Sequence, residues 1–126
     1  MLVCLHTYQK GGRIMKDKNA FGNFLREAIK QTDISQSEFY SSVGITKPYF
    51  YDILSGKVNP PPPDIQYKML DRLSITDKQK IEFLNLAAEG RNEIPADIER
   101  LISENPDKLE IIRVALRELL LNAKEE

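Results

Sequence analysis

The 126-residue chain has few of the side chains that usually build catalytic, metal and redox sites. It contains one cysteine, Cys4, and one histidine, His6. A single thiol cannot form an internal disulfide, and a single imidazole leaves no spacing typical of a zinc site. The sequence also lacks a glycine-rich phosphate-binding loop. We therefore expect no enzyme activity, no metal and no cofactor.

Long hydrophobic runs are missing as well. No stretch of the sequence has the length of apolar chain that crosses a bilayer, so we expect no membrane partner. Apolar residues make up 41% and charged residues 29% of the chain, as is ordinary for a soluble protein. The lone thiol fits a cytoplasmic location. The length allows one compact domain with an appendage.

Charge is unevenly divided along the chain, although its net value is only −1. Residues 1–57 contain eight Lys or Arg and five Asp or Glu, whereas residues 58–126 contain ten and fourteen. Binding to phosphate draws mainly on Lys and Arg. A basic front and an acidic back therefore indicate a DNA reader followed by a region for protein contacts.

The clearest motif lies in residues 35–57. Ser35 and Glu38 have the spacing of a capping box, which starts a helix, and Gly44 can end that helix in the left-handed conformation. Thr46 then caps a second helix. Two short helices joined by a tight glycine turn are typical of a DNA-binding helix-turn-helix, whose second helix enters the major groove. Its apolar spacing leaves these residues facing outward: Lys47, Pro48, Tyr51, Asp52 and Ser55.

The rest of the chain also predicts helices. Apolar periodicity indicates one over residues 20–31. The proline run of residues 60–63 cannot be helical and predicts a stiff connector, after which a helix begins at Asp64. Two further helices are expected near the C-terminus, one with Pro95 in its first turn and one capped by Asn105.

A second capping box, formed by Thr76 and Gln79, predicts another helix that Gly90 ends. This helix completes the core of the predicted bundle. The apolar residues that we expect in that core are Ile81, Leu84, Ala87 and Ala88.

The last predicted helix is the most regular. Leu109, Ile112, Leu116, Leu119 and Ala123 repeat with a 3, 4, 3, 4 spacing. Other apolar residues widen this surface, so the helix must bury more than one side. We expect a dimer or partner interface there, and the alternative is that these side chains only cap the bundle. The expected interface residues are Leu109, Ile112, Leu116, Leu119 and Leu120.

Residues 1–14 lack periodicity and are expected to form a loose arm. The residues before Met15 can be encoded by a purine-rich stretch containing GGAGG, which resembles a ribosome-binding site ahead of a start codon. Our hypothesis is that residues 1–14 are translated leader, and the rival is a basic arm that reaches along DNA. The expected divisions are therefore residues 1–14, residues 15–90 for DNA binding, and residues 91–126 as a helical extension.

Residues 20–90 resemble the XRE family of lambda-repressor-like regulators. The resemblance rests on Ser35, Gln36, Gly44, Ile45, Thr46, Gly56 and Lys57. It implies an all-α fold, a five-helix helix-turn-helix bundle with one or two additional C-terminal helices. It also implies a transcriptional regulator, expected to be a repressor that binds a pseudo-palindromic operator in double-stranded DNA as a homodimer. Residues 91–98, together with Asn105 and Pro106, also resemble an extension in XRE regulators of Gram-positive bacteria, often linked to phages and mobile elements.

Two positions depart from the family pattern. Tyr40 stands where the family usually has alanine between its two close helices, so either the helices splay or the ring slides outward. Ile29 and Leu54 stand where relatives often have an Arg–Glu ion pair. Replacing a partly buried ion pair by packed aliphatic side chains is often neutral or stabilising.

The resemblance also implies roles for single residues. Gln36 matches a position that contacts phosphate or the outermost base, and Lys47 is expected to read guanine. Asp52 either accepts a hydrogen bond from cytosine or pairs with Lys47 or another cation. Tyr49 and Tyr51 are expected to contact phosphate or the methyl groups of thymine. The alternative is that they pack on the surface of the domain. The full set of expected DNA-binding residues is Gln36, Thr46, Lys47, Pro48, Tyr49, Tyr51, Asp52, Lys57 and Asn59.

The alternative function is an antitoxin or immunity-type regulator. In that case the C-terminal helices bind a toxin or a protease while the front of the chain binds the operator. A toxin or metallopeptidase gene beside this one would favour that alternative.

Overall fold

The computed structural model describes residues 17–125, and their side chains as far as Asn122. Within this range the chain is all-α, with seven α-helices and no strand. The predicted arm or leader before Met15 lies outside the described residues. The helices are α1 (Lys18–Lys30), α2 (Gln36–Val43), α3 (Lys47–Ser55), α4 (Pro63–Arg72), α5 (Asp77–Arg91), α6 (Ala96–Ser103) and α7 (Leu109–Glu125).

The chain divides into two compact units, the first ending at Glu93 and the second beginning at Ile94. The first unit contains α1 to α5. In it, α1 packs against α3 and α5, while α4 packs against α2 and α5. Four phenylalanines fill its core, and the rings of Phe21 and Phe83 meet edge to face with their centroids 5.0 Å apart. The four are Phe21, Phe39, Phe50 and Phe83.

Local capping explains where most of these helices begin. The Ser35 hydroxyl accepts a hydrogen bond from the Glu38 N–H at 3.1 Å, and the Glu38 carboxylate accepts one from the Ser35 N–H at 2.9 Å. Thr76 and Gln79 form the same reciprocal pair. Both predicted capping boxes are therefore present, and each satisfies backbone donors that would otherwise have no partner.

The prediction that Gly90 ends α5 is wrong. The helix continues to Arg91, and Asn92 closes it in the left-handed conformation with φ of 61°. Gly90 is buried, and a Cβ there would lie 2.6 Å from Cγ of Pro60. The glycine therefore allows α5 to pass close to the proline run, where Pro60 and Pro61 are part of the core.

One core residue of α5 was also predicted wrongly. The Ile81 side chain is 54% exposed, whereas Phe83 is fully buried. At 3.6 residues per turn the two side chains are about 200° apart around the helix, so both cannot face the core. The buried face of α5 carries Phe83, Leu84, Ala87 and Ala88.

The second unit consists of α6, a 3₁₀ turn over Pro106–Lys108, and α7. Asn105 does not cap the last helix as predicted. Its side-chain amide donates to the Leu101 carbonyl at 2.7 Å, so it closes the end of α6. The 3₁₀ turn then delays the start of α7 to Leu109. No helix in the described range is long and apolar enough to span a membrane.

Candidate nucleic-acid interface

A tight turn joins α2 to α3. Gly44, with φ of 88°, ends α2, and its N–H donates to the Tyr40 carbonyl at 3.0 Å. The Ile45 N–H donates to the same carbonyl at 3.1 Å. The Thr46 hydroxyl then accepts a hydrogen bond from the Tyr49 N–H, which fixes the first turn of α3. The positive φ of Gly44 favours glycine, because a Cβ makes this backbone conformation costly.

The first residues of α3 form an exposed end. Thr46, Lys47 and Pro48 are all exposed, and Lys47 forms no ion pair with any other described residue. The positive end of the helix dipole lies here, and the ammonium group adds to it. The arrangement attracts anions and presents a hydrogen-bond donor at the end of a short, well-capped helix.

A hydrogen bond joins α2 and α3 on their outer side. The Tyr51 hydroxyl donates to Oε1 of Gln36 at 2.9 Å. Tyr51 is 42% exposed, and Gln36 is half-buried as the first residue of α2. Two of the predicted DNA-binding residues, from different helices, therefore meet in one polar unit.

Tyr40 packs over the contact between α2 and α3. Its ring centroid lies 5.2 Å from that of Phe50 and 6.5 Å from that of Tyr51. Tyr40 is half-buried, whereas Phe50 is fully buried beneath it. The ring that replaces the expected alanine thus lies at the rim of the helix contact and supports Tyr51.

Asp52 lies on the same outward side of α3 and is half-buried. Its carboxylate forms no ion pair within the described residues, so the alternative in which it pairs with Lys47 is not realised in this structure. The backbone carbonyl of Asp52 accepts a hydrogen bond from the Lys57 N–H at 2.9 Å. This bond helps to close α3, and the exposed side chains of Lys57 and Asn59 follow it.

Tyr49 lies two residues before Tyr51 in α3, so the two side chains point to different sides of the helix. Tyr49 is half-buried, and Arg91 and Asp64 are its charged neighbours. Burial raises the pKa of Tyr49, a rise that Arg91 opposes and Asp64 supports. Contact of Tyr49 with DNA stays a prediction.

Two arginines that the sequence reasoning did not single out hold the α2–α3 pair to the rest of the first unit. Arg26 of α1 donates to the Leu54 carbonyl at 3.3 Å, and Arg72 of α4 donates to the Ser42 hydroxyl at 3.0 Å. Ile29 and Leu54 are both buried. The aliphatic pair thus packs inside, while Arg26 still links α1 to the end of α3. No local signal marks Arg72, because its partner is 30 residues away.

The expected interface on α7 is largely uncovered. Leu119 and Leu120 are 65% and 64% exposed, and Leu109 and Leu116 are also exposed. Ile112 is half-buried. Soluble proteins seldom leave a row of large apolar side chains in water, so this surface is a candidate for contact with another chain.

The described residues include no group of three His, Cys, Asp or Glu side chains placed to hold a metal ion. Comparison with family models, with curated proteins and with solved structures finds no match to this chain. We therefore infer the function from the side chains of the α2–α3 pair and of α7.

Proposed function

We propose that the chain is a sequence-specific DNA-binding transcriptional regulator of the lambda-repressor-like type. The observation that carries this proposal is the α2–α3 pair, in which capped helices meet at a glycine turn and the start of α3 is exposed. In a helix-turn-helix the start of the second helix contacts base edges. Helices α1 to α5 would then form the five-helix bundle.

The side chains available on this surface fit the two kinds of contact that DNA readers make. Lys47 can donate to O6 and N7 of guanine, and Lys57 can hold a phosphate. Gln36 contributes an amide at the edge of the pair. The half-buried carboxylate of Asp52 suits the amino group of cytosine, because it repels phosphate and lacks a cation among the described residues.

The proposed regulator acts as a homodimer. One helix-turn-helix covers only a half-site, so tight binding to a pseudo-palindromic operator needs two copies related by a two-fold axis. The expected interface residues form an apolar stripe along α7, with Leu116 and Leu119 at its centre, and this stripe supplies a surface for the second copy. The stripe consists of Leu109, Ile112, Leu116, Leu119 and Leu120. A dimer that occupies an operator blocks access to it, which is why we propose a repressor.

Selection from a pool of random duplexes tests this function. The full chain should enrich one sequence and bind it about a thousandfold or more tighter than a shuffled duplex of equal length, at a stated physiological salt concentration. Equal affinity for the selected and shuffled duplexes would refute sequence-specific binding.

A second candidate is the antitoxin or immunity-type regulator. It is favoured by a second apolar surface, formed by Ile111, Val114 and Leu121 on the side of α7 opposite the stripe. A homodimer through the stripe leaves this surface uncovered. Native mass spectrometry of the chain isolated from its own cell distinguishes the two, because a homodimer has twice the chain mass and a hetero-complex contains another protein.

A further inference from the structure

The hydrogen bond between Tyr51 and Gln36 has a defined direction. The tyrosine O–H donates, and the amide oxygen Oε1 accepts, at 2.9 Å. The amide nitrogen Nε2 of Gln36 forms no hydrogen bond with the other residues that the structure describes. One of the two lone pairs of Gln36 Oε1 is therefore engaged, and both N–H donors of its amide are available.

The Tyr51 ring is well supported. It meets the buried ring of Phe50 edge to face, with centroids 5.1 Å apart and an interplanar angle of 76°. The Tyr40 ring meets it at 6.5 Å and 69°. Because these contacts fix the ring, they also fix its hydroxyl, and the hydroxyl holds the plane of the Gln36 amide.

We propose that Tyr51 is a positioning residue that holds Gln36 with its amide N–H groups directed to a hydrogen-bond acceptor on DNA. The inference rests on the proposed DNA-binding function. The acceptor is an oxygen or nitrogen atom, either a phosphate oxygen or N7 and O6 of guanine. Tyr51 itself acts through Gln36.

The engaged oxygen gives this arrangement a consequence for base preference. A glutamine with both amide atoms available pairs with adenine, donating to N7 and accepting from the N6 amino group. Here the Tyr51 hydroxyl takes one of the two lone pairs of Gln36 Oε1 and turns this oxygen towards α3. Adenine needs the oxygen and the nitrogen directed together at its edge, so this orientation disfavours adenine. Removal of the tyrosine hydroxyl frees the amide to rotate and should raise the relative affinity for adenine.

A double-mutant cycle on the selected duplex tests the positioning role. Tyr51→Phe keeps the ring and should weaken binding by about three- to tenfold, the range of one hydrogen bond. In a Gln36→Ala background the same change should have no further effect. Tyr40→Phe is the matched control, because its ring belongs to the same cluster, and it should leave affinity unchanged. An equal loss from Tyr51→Phe in both backgrounds would overturn the proposal.

Base substitutions in the duplex then distinguish the two acceptors. If Gln36 donates to guanine, Tyr51→Phe should increase relative affinity for adenine at one base pair of each half-site. If it donates to phosphate, Tyr51→Phe should weaken all duplexes by the same factor. A wild-type preference for cytosine that disappears in Gln36→Ala would mean that the amide oxygen faces DNA, and would overturn the proposal.

The amide resonances of the protein without DNA separate this inference from the proposed function. The side-chain N–H₂ signals of Gln36 should shift in Tyr51→Phe and stay in place in Tyr40→Phe. Signals that stay in place in both variants would overturn the positioning role. Failure of the wild-type chain to select any duplex would refute the DNA-binding function, whereas selection without coupling between Tyr51 and Gln36 would refute only the positioning role.

Discussion

Lys47 and Lys57 carry the same charge at two different places in the candidate interface. Lys47 is the first residue of α3, whereas Lys57 follows the glycine that ends this helix. Both side chains are exposed and form no ion pair with other described residues. Base contacts specify a sequence and phosphate contacts only position the protein, so the two lysines should behave differently when removed.

We expect Lys47→Ala to cost about 1–3 kcal/mol of binding free energy on the selected duplex and to relax specificity. Lys57→Ala is its matched control and should weaken selected and shuffled duplexes alike. Fluorescence anisotropy with both duplexes measures the two losses. If Lys47→Ala weakens both duplexes equally, Lys47 does not read bases.

The surroundings of Glu89, in α5, destabilise its negative charge. Burial, and next the nearby Asp17 carboxylate, raise the pKa of Glu89 above its usual 4.5. The folded state therefore binds a proton at this carboxyl more tightly than the unfolded state does. Protonation favours folding, so the contribution is fully present below pH 4.5 and is lost as the pH rises through the raised pKa.

Glu89→Gln should consequently raise the free energy of unfolding at pH 7, and this gain should disappear below pH 4.5. Urea unfolding at pH 7 and pH 4 measures the difference. Glu82→Gln, at an exposed position of the same helix, serves as the control. A gain of the same size at both pH values would contradict this explanation.

At the level of elements, the crossing of α1 over α3 determines how the candidate interface is held. A Cβ on Gly22 would collide with the Leu54 carbonyl oxygen and approach the Ile53 carbonyl oxygen to 2.9 Å. Arg26, one turn further along α1, donates to the same Leu54 carbonyl. The close approach depends on the missing side chain at Gly22.

Gly22→Ala should destabilise the first unit by about 1–3 kcal/mol, because the backbone of α3 must move to admit the methyl group. Urea unfolding of the full chain measures this loss. Glu27→Ala, on the exposed face of α1, should change stability by less than about 0.5 kcal/mol. A Gly22→Ala variant as stable as wild type would mean that α1 and α3 are not in close contact.

The elements that the sequence predicted correctly are those determined by neighbouring residues. Ser35 with Glu38 and Thr76 with Gln79 form the expected caps, and Gly44 ends α2 in the left-handed conformation. These interactions span three or four residues, so they are visible in the sequence.

The errors arise where distant residues meet. Gly90 suggested a helix end, but its role is to let Pro60 approach, a contact over 30 residues of sequence. The hydrogen bond from the Tyr51 hydroxyl to Gln36, 15 residues away, was likewise not predicted. Local spacing placed both tyrosine and glutamine on the surface, and only the packing of α2 on α3 brings them together.

At the level of the whole molecule, we expect two copies of the chain to associate through α7. Leu116→Asp places a carboxylate in the middle of the exposed stripe, where a second copy would bury it without a partner. We expect this variant to be monomeric, because desolvation of an unpaired charge outweighs the apolar contact. Light scattering coupled to size-exclusion chromatography measures the mass.

Leu121→Asp is the control for this prediction, since Leu121 lies on the opposite side of α7 and is 51% exposed. It should remain dimeric. In the antitoxin alternative, Leu121→Asp should instead lose the partner protein. A Leu116→Asp variant that stays dimeric would show that the stripe is not the dimer surface.

The most direct test of DNA reading by α3 is genome-wide mapping of the DNA bound by the tagged chain in its own cell. We predict bound sites that share a pseudo-palindrome, with half-site centres about 34–36 Å apart or a multiple of that spacing. The sites should overlap promoters, and Lys47→Ala should lose them. Bound fragments without a common sequence, or the same fragments with Lys47→Ala, would contradict the assignment of α3 as the reading helix.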